Sequence, residues 1–242
     1  MSDKWLAGKV IDNRHWTENL FSLRVEGAAL GFEAGQFVRI ALDIGGERVA
    51  RAFSFANPPQ DPVLEFYGVI VPEGPLSPRL AKLDAGDVLY IAGNPAGFLT
   101  LSEVPDAETL WLVATGTGLA PFLSILRTEA PWRRFRNVVL VHAVRYAREL
   151  TYQDLIRQTP ARYVTFVSRE QASGSLAGRI PAAIADGRLE KAAGLKLATE
   201  TSHVMLCGNP QMLKDATAAL VARGMRKHRR RARGHITVES FW

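Results

Sequence analysis

The sequence predicts a two-domain β + α/β protein, with an N-terminal antiparallel β-barrel followed by a C-terminal doubly wound parallel α/β domain. Three observations carry this. Residues 4–101 hold six short β-rich stretches at roughly even spacing, parted by turn residues. From residue 109 the pattern changes to apolar strands alternating with helical stretches. The chain has 242 residues, which suits two domains of roughly 100–140 residues each.

In chain order, the first strands are expected at 4–12, 18–26, 36–43, 47–55, 63–71 and 87–93, where β-formers dominate and polarity often alternates. Gly31, Gly35, Gly45-Gly46, Asn57-Pro58-Pro59 and Asp84 to Asp87 mark the turns between them. One short helix is expected at 77–83, with Pro78 in its first turn. Residues 102–108 read as a linker, which divides the chain into a domain at 1–101 and a domain at 109–242. Continuous apolar runs at 109–115, 137–144, 162–168 and 203–208 fit parallel strands buried on both faces. Helices are expected at 119–129, 148–158, 178–186 and 210–223.

Composition narrows the function. Apolar residues make up 47% and charged residues 22% of the chain, so it can bury a core and is not a disordered protein. The single cysteine, Cys207, excludes an internal disulfide and any four-cysteine cluster built from this chain. The five histidines are scattered without metal-ligand spacing, and no metal is expected. The formal net charge of +6 is local: residues 223–233 hold seven Lys/Arg and no acid, while residues 1–100 hold nine against twelve acids. Such a patch attracts an acidic surface, either nucleic acid or an acidic protein. Residues 133–136 add a second basic spot. The N-terminus lacks the apolar stretch of a signal peptide. The longest charge-free run, 109–126, is broken by Gly116, Gly118 and Pro121. No membrane association is expected, and the location expected is cytoplasmic.

Several short segments are suited to holding a ligand, and each also has a plain structural reading. Thr115 to Phe122 (TGTGLAPF) follows a strand; its glycines permit close backbone approach, and the helix start beyond offers N–H groups to a phosphate. It would equally serve as a turn. Cys207-Gly208-Asn209-Pro210 follows the last apolar run, where a buried structural cysteine is the alternative. Arg145, Arg169 and Arg179 lie at or just beyond strand ends; they are either solvated charges or a converging phosphate fork. Arg51-Ala52-Phe53-Ser54 ends a strand with a cation, an aromatic ring and a hydroxyl. Phe241 and Trp242 close the chain with two aromatics, which need either a core or a flat ligand.

Taken together and in this order, these segments resemble the ferredoxin–NADP⁺ reductase family, most closely its bacterial flavodoxin/ferredoxin reductases, over essentially the whole chain. GQF at 35–37, GERVARAFSF at 46–55, LSPRL at 76–80, SRE at 168–170, ETSHVMLCGNPQM at 200–212 and the tail GHITVESFW carry the resemblance. It implies FAD in the barrel and NADP(H) in the α/β domain, with the C-terminal tail returning to the flavin. Arg51 would pair with the FAD pyrophosphate. Ala52, Phe53 and Ser54 would lie against the flavin, the Ser54 hydroxyl near N5. Tyr67 and Val69 would line the ring and its ribityl chain, and Leu76 and Ser77 would hold the pyrophosphate. Thr117 would stand between flavin and nicotinamide. Arg145, Ser168, Arg169 and Arg179 would take the NADP phosphates, with Gly208 and Asn209 beside them. Cys207 and Glu239 would flank the nicotinamide, Phe241 would stack on the flavin and Trp242 on its adenine.

Two departures bear on FAD. Phe53 stands where the family usually has tyrosine, which removes a phenolic hydrogen bond and keeps the stacking. Pro75 stands where relatives carry lysine, offering neither charge nor N–H and leaving more of the load on Arg51. The activity implied is hydride exchange with NADPH and single-electron exchange with a carrier protein. The lone cysteine means that any iron–sulfur acceptor is a separate chain. Ferredoxin or flavodoxin is the expected partner, bound through Arg223, Arg226, Lys227, Arg229, Arg230 and Arg231, and the enzyme is expected to be a monomer. Three rivals make different expectations. A flavin reductase working on free flavin would be colourless. A cytochrome reductase relative would prefer NADH. A basic nucleic-acid-binding protein would bind DNA and leave the glycine loops without a role.

Overall fold

A computed structural model describes residues 4–240. In its first half β1 (Trp5–His15), β2 (Leu20–Glu26), β3 (Phe37–Ile44), β4 (Glu47–Ser54), β5 (Leu64–Val69) and β6 (Val88–Ala92) form one sheet, with α1 (Ser77–Leu80) between β5 and β6. Every pairing in it is antiparallel, in the order β4-β3-β6-β1-β2-β5. A register shift between Val10 and Asp12 bends β1. The sheet curls until Phe55, just past β4, bridges Phe66 of β5, so the barrel is a curled sheet closed by an isolated bridge. Phe21, Leu23, Val25, Phe55, Phe66, Leu89 and Ile91 fill its interior. The alternation of the strands puts these residues on the inner face.

The second half is a parallel sheet of β7 (Thr109–Thr115), β8 (Asn137–Val144), β9 (Arg162–Val167), β10 (Leu176–Ala177), β11 (Ser202–Gly208) and β12 (Ile236–Ser240). Its order is β10-β9-β8-β7-β11-β12. The helices are α2 (Ala120–Leu126), α3 (Ala130–Arg134), α4 (Gln153–Arg157), α5 (Ile180–Ala185), α6 (Arg188–Ala193) and α7 (Pro210–Ala222). Proline stands in the first turn of α2, α3, α5 and α7, where its missing N–H costs nothing. Trp111, Val113, Val139, Val141 and Leu206 pack one face of the sheet against α5, α6 and α7. On the other face Leu110, Leu112, Leu140 and Met205 pack on α2. That second core runs on into Leu20, Tyr67 and Leu99 of the barrel half, so the two halves share it.

Some expectations change. The helix expected at 148–158 is cut short: a single 3-10 turn spans Ala147–Glu149, and Tyr152 takes φ 56°, so α4 starts only at Gln153. Tyr152 is the sole non-glycine residue with positive φ among those described. The tail forms β12, paired with β11 from Val204–Ile236 to Gly208–Ser240. The segment expected as a linker carries a 3-10 turn, Leu101–Glu103, held by Arg134, which donates to the carbonyls of Leu101 and Val104.

The basic spot at 133–136 is neutralised, since Arg133 pairs with Glu129 and Arg136 with Glu108. The larger patch is also partly internal. Arg223 turns inward to Glu190 at 2.7 Å and to the Ile184 carbonyl, and Arg230 pairs with Glu103. Among the described residues no helix is long and apolar enough to cross a membrane, and no side-chain cluster suits a metal ion.

Candidate functional site

The chain leaves β7 in one direction toward β8 and returns on its other side through β11, so the sheet has a switch point between those two strands. Loops leaving the carboxyl ends of strands at such a point form a crevice. Here they are Thr115 to Leu119 after β7 and Gly208-Asn209 after β11. The two loops interlock through glycine. A Cβ on Gly118 would lie 2.6 Å from the Cys207 carbonyl oxygen. Gly208, at φ 130°, would bring one onto Thr115 Oγ1. Thr115 Oγ1 accepts from the Asn209 N–H at 2.9 Å, and the Asn209 side chain caps α7 by accepting from the N–H groups of Gln211 and Met212.

Two cavities open here. The first, ≈ 330 Å³, is lined by Arg51, Ala52, Phe53 and Ser54 at the end of β4, by Tyr67 to Val69 of β5, by Gly74 to Ser77 leading into α1, and by Thr117. The second, ≈ 670 Å³, runs along the carboxyl edge of the parallel sheet past Thr117, Arg145, Ser168, Arg169, Arg179, Gly208 and Asn209. Val69, Val71 and Thr117 line both, so the cavities meet at the loop after β7.

The walls differ chemically. In the first, Ser54 is 2% exposed and its buried Oγ has no hydrogen-bond partner among the described residues. Buried hydroxyls are normally paired, so this one calls for a ligand. Phe53 is half-buried, edge-on to Phe66 at 6.5 Å. Arg51 is exposed and donates only to the neighbouring Ala50 carbonyl. Arg79 donates to the Pro75 carbonyl at 2.6 Å, which brings a second guanidinium to the rim where proline carries no charge. In the second cavity Arg145, Arg169 and Arg179 are all exposed, and none has an ion-pair partner among the described residues. Three unneutralised guanidiniums on one concave wall form an anion site. Glu149, also in that wall, is spent on the N–H groups of Arg145 and Tyr146.

Cys207 and Glu239 line neither cavity. Cys207 is fully buried between Ala114 and Glu239 in adjacent strands, and burial pushes its thiol well above the usual range. It therefore stays a thiol and shapes the crevice floor through its carbonyl. Glu239 is largely buried; Oε1 has no partner, and burial raises the carboxyl to about 7 against the pull of the Phe98 N–H. Phe241 and Trp242 lie outside the described residues.

Sequence reading missed Glu149 and Tyr152. Glu149 accepts from the neighbouring backbone N–H groups of Arg145 and Tyr146, whereas Tyr152 is fixed by distant segments that no local pattern announces. Tyr152 packs against Trp16 and Tyr67 and donates to Glu65 at 2.8 Å.

A curled antiparallel sheet beside a parallel sheet, with a flat-ligand cavity opening into a guanidinium-lined cleft, defines the two-domain flavin–nicotinamide oxidoreductases. The family profiles agree: the oxidoreductase FAD-binding domain matches residues 12–99 and the oxidoreductase NAD-binding domain matches residues 112–218. Flavodoxin/ferredoxin–NADP reductases from Shigella flexneri and Escherichia coli are 53% and 52% identical to this chain, each over 98% of it and 99% of their own length. A ferredoxin NADP⁺ reductase structure from Neisseria gonorrhoeae with bound FAD and NADP matches at TM-score 0.95 and 33% identity, covering 99% of both chains. The chain belongs to the flavodoxin/ferredoxin–NADP reductase family.

Proposed function

We propose that this protein exchanges electrons between NADPH and a one-electron carrier, ferredoxin or flavodoxin, through FAD held in the first cavity. The observation that carries this is the shared wall at Thr117, which lets a ring in one cavity face a ring in the other. The residues fit both groups: an orphaned hydroxyl and an aromatic wall suit a flavin, and three unpaired guanidiniums suit a phosphorylated dinucleotide.

Bound there, FAD would supply hydride acceptance from NADPH and stepwise single-electron release to a carrier protein. The protein orients and holds. Ser54 donates to the flavin ring, Ala52 and Phe53 cover it, and Tyr67 and Val69 form its side wall. Arg51, Leu76 and Ser77 hold the pyrophosphate, with Arg79 at the rim. Arg145, Ser168, Arg169 and Arg179 grip the phosphates of NADPH, and Gly208 and Asn209 let it approach the backbone. Glu239 stands at the nicotinamide end.

The domains divide at 1–101 and 109–242. Arg226, Lys227, Arg229 and Arg231 attract the acidic carrier, with Arg230 anchored among them and Arg223 serving the fold. The enzyme works as a monomer in the cytoplasm.

The test is an absorbance spectrum of the purified protein, then titration with NADPH and NADH. Flavin bands bleached preferentially by NADPH support the reading, and a colourless protein that takes up no FAD refutes it. Arg169→Ala should cut kcat/KM for NADPH by about 10- to 100-fold, since a charge-assisted contact is worth about 1.5–3 kcal/mol. NADH should be little affected.

A further inference from the structure

Phe98 is the most exposed large apolar side chain among the described residues, 61% accessible. Its place in the fold sets it beside the first cavity. Ser54 pairs with Phe37 across β4 and β3, and Phe37 bridges Ala96 on its other side. Two strand spacings of about 4.8 Å put Ala96 roughly 10 Å from the Ser54 rung, and Phe98 follows two residues later.

The ring is also held from the far half. The Arg230 guanidinium sits 4.3 Å from its centroid and donates to both Glu103 carboxylate oxygens, at 3.0 and 3.1 Å. Arg230 is at the tip of a hairpin closed by paired hydrogen bonds between Arg229 and Ala232. Arg226, Lys227, Arg229, Arg231 and Arg233 of this hairpin are exposed, with no ion pair among the described residues.

We propose that Phe98 is the apolar centre of the surface on which the electron carrier docks, with hairpin 226–233 as its basic rim and the Arg230–Glu103 pair as the clip that ties rim to centre. This rests on the carrier-reductase reading above. An aromatic centre inside a polar rim is the layout of a transient interface. The unneutralised cations commit it to one occupant, a small protein with carboxylates around an apolar, exposed redox centre.

The experiment compares Phe98→Ser and Phe98→Tyr with wild-type holoenzyme. Steady-state NADPH oxidation is measured with an acidic flavodoxin and, separately, with menadione, a small neutral acceptor that needs no docking surface. Phe98→Ser should raise the KM for flavodoxin about tenfold, as loss of an interface anchor does. Phe98→Tyr should keep the wild-type value, and both variants should keep wild-type turnover with menadione. An unchanged flavodoxin KM in Phe98→Ser overturns this surface and leaves the carrier reading standing. A parallel fall in menadione turnover also overturns it, because Phe98 would then act through the cofactor site. A wild-type enzyme that turns over menadione but reduces no flavodoxin overturns the carrier reading and this surface with it. A dimer in sedimentation that Phe98→Ser dissolves would make the occupant a second copy of the chain and overturn the proposal.

Discussion

The Ser54 hydroxyl has no partner within the protein, so its replacement removes nothing the fold itself uses. Ser54→Ala should therefore leave the melting temperature unchanged and slow flavin reduction by NADPH about tenfold in stopped flow, the equivalent of one hydrogen bond. Glu239 behaves in the opposite way. Its folded-state carboxyl keeps a proton up to about 7 against an ordinary 4.5. A raised folded value favours the folded state at low pH, and that advantage is lost as pH climbs through 7. Wild type should lose roughly 2 kcal/mol more than Glu239→Gln between about pH 5 and about pH 8, read from thermal unfolding at each pH. The sequence places Ser54 at the end of a strand and Glu239 in the C-terminal tail. It conceals that one hydroxyl is orphaned and one carboxyl dried out, since both conditions depend on which distant segment covers them.

At the scale of elements, the strands were the most legible part. The runs at 109–115 and 137–144 coincide with β7 and β8 because a parallel strand buried on both faces has to be apolar throughout. β12 was hidden: Ile236 to Ser240 mixes Thr, Glu and Ser, and it is a strand only because β11 offers an edge. The patch at 223–233 was legible as charge and illegible as structure. Arg223 meets Glu190 from α6, far away in sequence, and its side chain is 29% exposed. Arg223→Ala should thus cost about 2–3 kcal/mol in denaturant unfolding, having stranded a partly buried carboxylate, and should leave the KM for flavodoxin unchanged. Arg229→Ala should do the reverse.

For the whole molecule, motif order implied two nucleotide sites, and the structure has two cavities that share a wall at Val69, Val71 and Thr117. The seam between the halves was not readable. Arg127 donates to Glu65 at 2.8 Å, Ser124 to the Asn57 carbonyl at 2.6 Å and Thr151 to the Tyr67 hydroxyl at 2.9 Å, each pair more than 60 residues apart. Long-range charge also belongs to this scale. The exposed cations of the hairpin should make kcat/KM for flavodoxin fall several-fold between about 50 and 200 mM salt, with turnover on menadione flat.

The apolar continuity from Leu20 and Leu99 into α2 has a practical edge. Cut at residue 104, the gene would yield two fragments, each bearing a raw greasy flank, and a chimera pairing one half with a foreign counterpart would inherit a mismatched joint. In this enzyme the heritable module is the complete polypeptide, and recombination that respects only the motif boundaries should produce aggregates.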